Sequence, residues 1–297
     1  MTSPPAKRQR TENAPITRSD IWHIDGSVVL QVENTQFRPP DQSSVEGCPV
    51  LELQDDHVDV NYLLKALYSP CTLLFPVIAA LIRLGRKYDC REVLDMTVER
   101  VTFENPTTLE EYDALSVVVE AENTELYFPT RIVFDMGSPF DLITLVRENN
   151  ILTALPCAYY RAILYHPSSF LVGLRRRDGT STTLAAVDQH RCTQGREKLI
   201  KDQFKADSTF GWLRVRDYGD CIDPSSCNKT RTETLECLLD VLDLWALSPE
   251  VGCKVLELCD PYKERRKRSV SESRKKIWDE FPSYFDLPPW AELKNDL

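Results

Sequence analysis

An α+β fold is expected for this chain, with a few strands near the start and helices through the rest. Three observations lead there. Val28, Leu30 and Val32 alternate with Val29, Gln31 and Glu33, the period-two pattern of a half-buried strand. From His57 onward, apolar residues recur at three- and four-residue intervals, the period of a helix with one buried face. Beyond Asn105-Pro106 almost no strand pattern remains. Strands that cluster early, with helices following in succession, argue for segregated layers rather than a doubly wound parallel sheet.

Residues 1–15 are polar, basic and proline-containing, and are expected to remain a disordered tail. From Ile16, "SDIWHIDGSVVLQVENTQF" reads as a lead-in, a turn at Asp25-Gly26 and paired strands around it. "CPVLELQDD" adds a short strand with Leu51 and Leu53 on one face. In "HVDVNYLLKALYSP", Val60, Leu63, Leu64 and Leu67 share a helical face, and Ser69-Pro70 stops the helix. Pro76 suits a first helical position, with Val77, Leu81 and Leu84 as the stripe of the next helix. Leu94, Val98 and Val101 repeat that stripe. A first domain is thus expected over 16–104 and a helical domain over 105–297. Within the second, "PFDLITLVRENNILTALPCAYYRAILYH" reads as helices restarted near Pro156. "TLAAVDQHRCTQGREKLIKDQFKADSTFGWLRV" reads as one long helix. "TRTETLECLLDVLDLWALSPEV" carries a stripe of Leu235, Leu238, Leu239, Leu242 and Trp245 opposite Glu236, Asp240 and Asp243. Its Cys237 reads as an ordinary core residue. No solenoid or propeller repeat is visible.

The 297 residues, 42% hydrophobic and 28% charged, suit a folded protein. At ~150 residues per domain, that length fits about two domains. A net charge of −10 disfavours non-specific nucleic-acid binding by the molecule as a whole. No apolar run is long enough to span a bilayer, and "MTSPPAKRQRTENAP" has no apolar signal core. An intracellular protein of nucleus or cytoplasm, with no membrane partner, is expected. Its ten cysteines are then reduced, and the sequon Asn228-Lys229-Thr230 is unused.

Asp25-Gly26-Ser27-Val28-Val29-Leu30-Gln31-Val32, followed by Phe37-Arg38, resembles the opening hairpin of a BTB/POZ domain. The later order agrees: the strand Val50 to Leu53, the Leu-Leu-x-x-Leu-Tyr helix ending at Tyr68, and the helical pair containing Arg86-Lys87-Tyr88-Asp89. The chain is most similar to BTB proteins abundant in mushroom-forming fungi. Those often carry a helical C-terminal region with a Trp-x-x-x-Pro-x-x-Phe-x-Leu-x-x-Trp ending, matched here by Trp278, Pro282, Phe285, Leu287 and Trp290. The resemblance covers residues 16–103, with the tail pattern extending it to Leu293. It implies a non-enzymatic adaptor or scaffold for protein partners: self-association, recruitment to a cullin ubiquitin-ligase scaffold through the helices after Tyr68, or entry into a transcriptional complex. No cofactor is implied.

One departure stands out. BTB strands ending in Phe-x normally continue into His-Lys/Arg, Val-Leu-Ala and Ser-x-x-Phe, a segment that supplies a helical hairpin. Here Arg38 runs directly into Pro39, through a splice variant, a mispredicted exon or a real deletion. Uncovering even a few hundred Å² of apolar surface, at ~25 cal/mol per Å², matters against a net stability of ~5–15 kcal/mol. A destabilised domain with weakened self-association is expected.

Cysteines supply the metal candidates. Cys192, Cys221, Cys227, Cys253 and Cys259 lie in the helical domain, with His190 two residues before Cys192. Zinc needs four soft ligands in a tetrahedron, and "DCIDPSSCNK" can bring Cys221 and Cys227 together across a proline turn. Their Cys-x5-Cys spacing differs from the usual Cys-x2-Cys, so reduced core or surface thiols are the plainer reading. No catalytic residue is assigned. His23, His166 and His190 have no partner pattern. His57 follows Asp55-Asp56, an acidic pair better suited to capping the helix than to orienting a base. No phosphate loop, nucleophile elbow or His-Glu-x-x-His occurs.

The basic run "KERRKRSVSESRKK", 263–276, holds eight Lys/Arg against two Glu in an acidic chain. It suggests importin capture, nucleic-acid contact or docking on an acidic face of the same chain, beside the plainer reading of a solvated helix. Through it, a nuclear regulator is the alternative function. Pro5-Ala6-Lys7-Arg8-Gln9-Arg10 is a smaller import candidate, and Ser269, Ser271 and Ser273 are candidate phosphorylation sites that would offset the charge.

Overall fold

The computed structural model describes residues 15–39, 48–68, 74–121, 132–134, 137–176, 178–214, 219, 221–241, 243–248 and 257–296. The expected tail (but for residue 15), the import candidate at 5–10, Leu242 and Cys253 lie outside them. The chain is α+β; its described residues are about 60% helical, with a small mixed sheet. It divides into two compact units, Met1–Thr97 and Val98–Leu297.

The first unit opens with β1 (Thr17–Trp22), β2 (Val29–Val32), β3 (Thr35–Arg38) and β4 (Val50–Leu53), in the sheet order β1-β3-β2-β4. β2 and β3 pair antiparallel around Glu33-Asn34, with Glu33 at φ 52°. The hairpin therefore turns there and not at Asp25-Gly26. β1 crosses over to pair parallel with β3, and β4 lies parallel to β2. Gly26 has a different duty. A Cβ on it would stand 2.4 Å from the Pro39 carbonyl oxygen and 2.7 Å from Arg38 Cγ, so only glycine fits. Its carbonyl accepts from Arg38 Nε at 2.9 Å and from the Cys48 thiol at 3.1 Å. The Arg38-Pro39 junction is thus held against that turn.

Three helices follow: α1 (His57–Tyr68), α2 (Phe75–Lys87) and α3 (Arg91–Glu104). Asp56 caps α1, accepting from the Val58 N–H at 2.8 Å and the Asp59 N–H at 3.4 Å. Asp56→Ala is expected to lower the stability of this unit by about 1 kcal/mol in urea denaturation; an unchanged midpoint would remove the cap from the account. The sheet covers α1 and α2 through Ile21, Val32, Phe37, Val60, Leu63, Leu64, Val77, Leu81 and Leu84, with Leu30 and Leu53 against them. Two residues expected inside are not. Leu51 is 53% and Leu67 52% exposed, because β4 is an edge strand and Leu67 sits in the last turn of α1.

α3 buries Leu94, Val98 and Val101 as its period requires. The division between units falls inside it, before the expected 104/105. The buried Glu104 ties its end to the second unit, accepting from the Ile132 N–H at 3.1 Å and pairing with Arg161.

The second unit contains α4 (Leu109–Ala121), α5 (Ser138–Glu148), α6 (Leu155–Ile163), α7 (Ser168–Val172), α8 (Ala186–Asp202), α9 (Pro224–Val241), α10 (Asp260–Asp279) and α11 (Phe281–Tyr284), with a minimal hairpin of β5 (Leu174–Arg175) and β6 (Ser181–Thr182). α6, restarted at Pro156 as expected, is buried nearly all round. α8 stops at Asp202 instead of running on to 215. Gln203 turns inward there, donating to the Asp243 carbonyl at 3.0 Å and accepting from the Trp245 N–H at 3.0 Å. In α9 the buried face runs through Cys227, Thr230, Thr234 and Leu238, while Leu239 and Cys237 are exposed and Trp245 lies beyond the helix end. Thr234 can be buried because its hydroxyl donates to the Thr230 carbonyl at 2.8 Å.

The Trp-Pro-Phe-Leu-Trp ending closes this unit. Trp278 stacks on Phe281 (5.2 Å between centroids) and on Trp290 (5.6 Å), and its indole N–H donates to the Thr107 carbonyl at 2.9 Å. Phe285 stacks on Tyr159 at 5.3 Å. Its ring passes so close to α8 that a Cβ on Gly195 would lie 2.5 Å from it.

Candidate functional site

Three sulfurs converge where α9 and α10 begin. Asp223 caps α9, its carboxylate accepting from the Ser226 N–H at 3.0 Å and its carbonyl from the Cys227 N–H at 3.0 Å. The turn through Asp223-Pro224 puts Cys221, just before the helix, beside Cys227 in its first turns. Cys259 is the N-cap residue of α10. Its N–H donates to Cys227 Sγ at 3.3 Å, and its own Sγ lies 3.7 Å from Cys221 Sγ. All three sulfurs lie within 4.8 Å of one another. Cys227 is buried against Phe210, Trp212, Leu213, Leu258 and Tyr262, while Cys221 and Cys259 are half-buried.

The three thiols are not equivalent. Burial pushes Cys221 up to about 11, with the neighbouring sulfurs adding to it. Burial also opposes ionisation of Cys259, but the backbone N–H groups of Tyr262 and Ile222 and the Cys227 and Cys221 thiols outweigh it and draw Cys259 down to about 7.

A second feature lies in the first unit. β4 is hydrogen-bonded only to β2 among the described residues. Val50 is 55% and Leu51 53% exposed, and Glu52 is the strand's one charge. The opposite edge, β1, carries Arg18 over Trp22 at 4.4 Å and Asp20 paired with Lys65 at 2.7 Å. Charges of that kind protect an edge from further pairing; β4 has little such protection.

The chain matches no family model, no curated protein and no solved structure. The likeness to BTB/POZ domains accordingly rests on the residues quoted for it.

Of the expected metal candidates, Cys221, Cys227 and Cys259 come together. Cys192 does not: it is buried in α8, where burial and then Asp188 push its thiol up to about 12. His190 is exposed, since two residues along a helix turn a side chain to the far face. His57 Nδ1 lies 2.9 Å from Glu33, and His166 Nδ1 lies 2.8 Å from Ser168 Oγ in its own turn. Both contacts lie at the surface.

The basic run forms most of α10, and part of it docks internally. Arg274 is buried, its Nε donating to the Leu247 carbonyl at 2.8 Å and its Nη1 to Asp113 at 3.1 Å. Lys276 pairs with Asp207, and the Arg266 guanidinium lies 5.4 Å from the Trp212 ring centroid. Lys267, Arg268 and Lys275 face solvent together with Ser271. Ser273 is buried, donating to the Ser269 carbonyl at 2.6 Å, so its phosphorylation requires the helix to unpack.

Spacing gave no sign of one further cluster. Asp188, fully buried in α8, accepts from Arg147 Nε at 3.0 Å and from the Tyr159 hydroxyl at 2.6 Å. Burial and the Asp188 carboxylate push the Tyr159 phenol up, which fixes it as a donor. Among the described residues, no helix is long and apolar enough to cross a membrane.

Proposed function

We propose that this chain is a non-enzymatic protein–protein interaction module, an adaptor or scaffold that takes an extended segment of a partner protein along β4. The exposed apolar edge carries the reading. An added strand gains backbone hydrogen bonds along the side of β4 that no described strand pairs with, and Val50 and Leu51 offer apolar contacts beside them. The BTB/POZ resemblance points the same way, including recruitment to a cullin scaffold and a self-association weakened at Arg38-Pro39. The alternative, a nuclear regulator acting through 263–276, would have to rest on the exposed Arg265, Lys267, Arg268 and Lys275, since Lys263, Arg266, Arg274 and Lys276 face groups of their own chain.

Photo-cross-linking of the full chain tests the main reading. A photoreactive residue in place of Leu51 is expected to join a discrete second polypeptide far more strongly than one in place of Leu171, which is 70% exposed in the other unit. Equal labelling at both positions, or none at either, would remove β4 as the contact.

A further inference from the structure

We infer that Cys221, Cys227 and Cys259 form a binding site for one soft, tetrahedral divalent cation of the zinc class. Three thiolates would supply three corners, with the fourth left to water or an exogenous ligand. The distances fit such an ion. With metal–sulfur bonds of about 2.3 Å, the edge of a tetrahedron is about 3.8 Å. Cys221 Sγ and Cys259 Sγ stand 3.7 Å apart, and no pair of the three exceeds 4.8 Å. A small inward rotation of the side chains closes the remaining difference.

The surroundings favour sulfur ligation over other uses of these thiols. A disulfide needs about 2.05 Å between sulfurs and joins two cysteines, leaving the third without a role. The Cys259 N–H on Cys227 Sγ is the kind of outer hydrogen bond that orients a thiolate and stabilises its charge. Nearby carboxylates are engaged elsewhere: Asp223 caps α9, and Asp260 faces Lys263 at 3.5 Å. The sulfurs are also spread over the chain usefully. Cys221 and Cys227 stand at the start of α9 and Cys259 at the start of α10, so a shared ion would fasten together two long helices that residues 242–259 connect. The inference is independent of the partner reading, since it concerns the other unit.

The test uses the full chain, reduced with a phosphine and stripped with a chelator, then titrated with Co²⁺. Expected are saturation at one equivalent, the intense visible spectrum of tetrahedral sulfur-ligated cobalt, and displacement by Zn²⁺. Cys221→Ser and Cys259→Ser, both at half-buried positions, should each weaken binding by at least about tenfold. Cys237→Ser, at an exposed site, should leave it unaltered. Octahedral or absent cobalt binding would overturn the inference, as would Cys221→Ser and Cys259→Ser binding like the parent chain. Failure to bind metal, with a Cys221–Cys259 disulfide forming on oxidation, would overturn it in favour of redox chemistry.

Discussion

Asp188→Ala is expected to lower the stability of the helical unit by about 3 kcal/mol, toward the lower end of what breaking a buried ion pair costs. The carboxylate is fully buried and serves two donors from separate helices, Arg147 of α5 and Tyr159 of α6. Removing it leaves a guanidinium and a phenol facing a space that neither can fill. Arg147 remains 28% exposed and regains some hydration, which keeps the loss from reaching the upper end. Tyr159→Phe removes one donor and leaves the ion pair intact, so about 1–2 kcal/mol is expected. Four of the five tryptophans lie in this unit, so their fluorescence reports mainly on its unfolding. For a unit of this size, the Asp188→Ala loss corresponds to a midpoint lowered by roughly 6–12 °C. A transition within a degree of the parent chain would show that the cluster is not structural.

Trp278→Ala should cost as much or more, about 3–5 kcal/mol. The indole is nearly buried, touches Tyr112, Phe281 and Trp290, and satisfies the Thr107 carbonyl. Its removal creates a cavity among rings held by several separate elements, which cannot collapse together. It also removes the ring on which Trp290 stacks, while the backbone carbonyl of residue 278 that accepts from the Trp290 indole N–H at 2.8 Å remains. Trp278→Phe keeps an aromatic body and loses the bond to Thr107, and about 1–2 kcal/mol is expected for it. Ser283→Ala, at an exposed position of α11, provides the comparison; equal effects at 278 and 283 would show that the aromatic closure contributes nothing particular.

Local chemistry was readable in the sequence wherever neighbours along the chain decide the outcome. The stripe Val77, Leu81 and Leu84, the restart at Pro156 and the cap at Asp56 all follow from period, proline and a carboxylate at a helix start. Reading failed where distant residues intervene. Gln203 ends α8 because Asp243 and Trp245, forty residues on, receive its amide. The buried face of α9 includes Thr234 because its hydroxyl is satisfied by its own helix, which a count of leucines does not register. β4 looked like a strand, but its place at an edge depends on which strand pairs with β2. The candidate site divided the same way. Cys221 and Cys227 were paired by the turn between them. Cys259 joined them by helix packing, and Cys192, equally plausible from sequence, faces a different core.

The aromatic closure also sets a timetable for synthesis. Thr107 leaves the ribosome early in the second unit, whereas Trp278 and Trp290 come near its end, and Asn295 must still reach back to Thr153 at 3.1 Å. At about 5–20 residues per second, the stretch between Thr107 and Trp290 takes on the order of ten to forty seconds to translate. Through that interval Tyr112, Tyr159 and Tyr160 lack the rings of Trp278, Phe285 and Phe281, so the nascent helices carry uncovered aromatic faces.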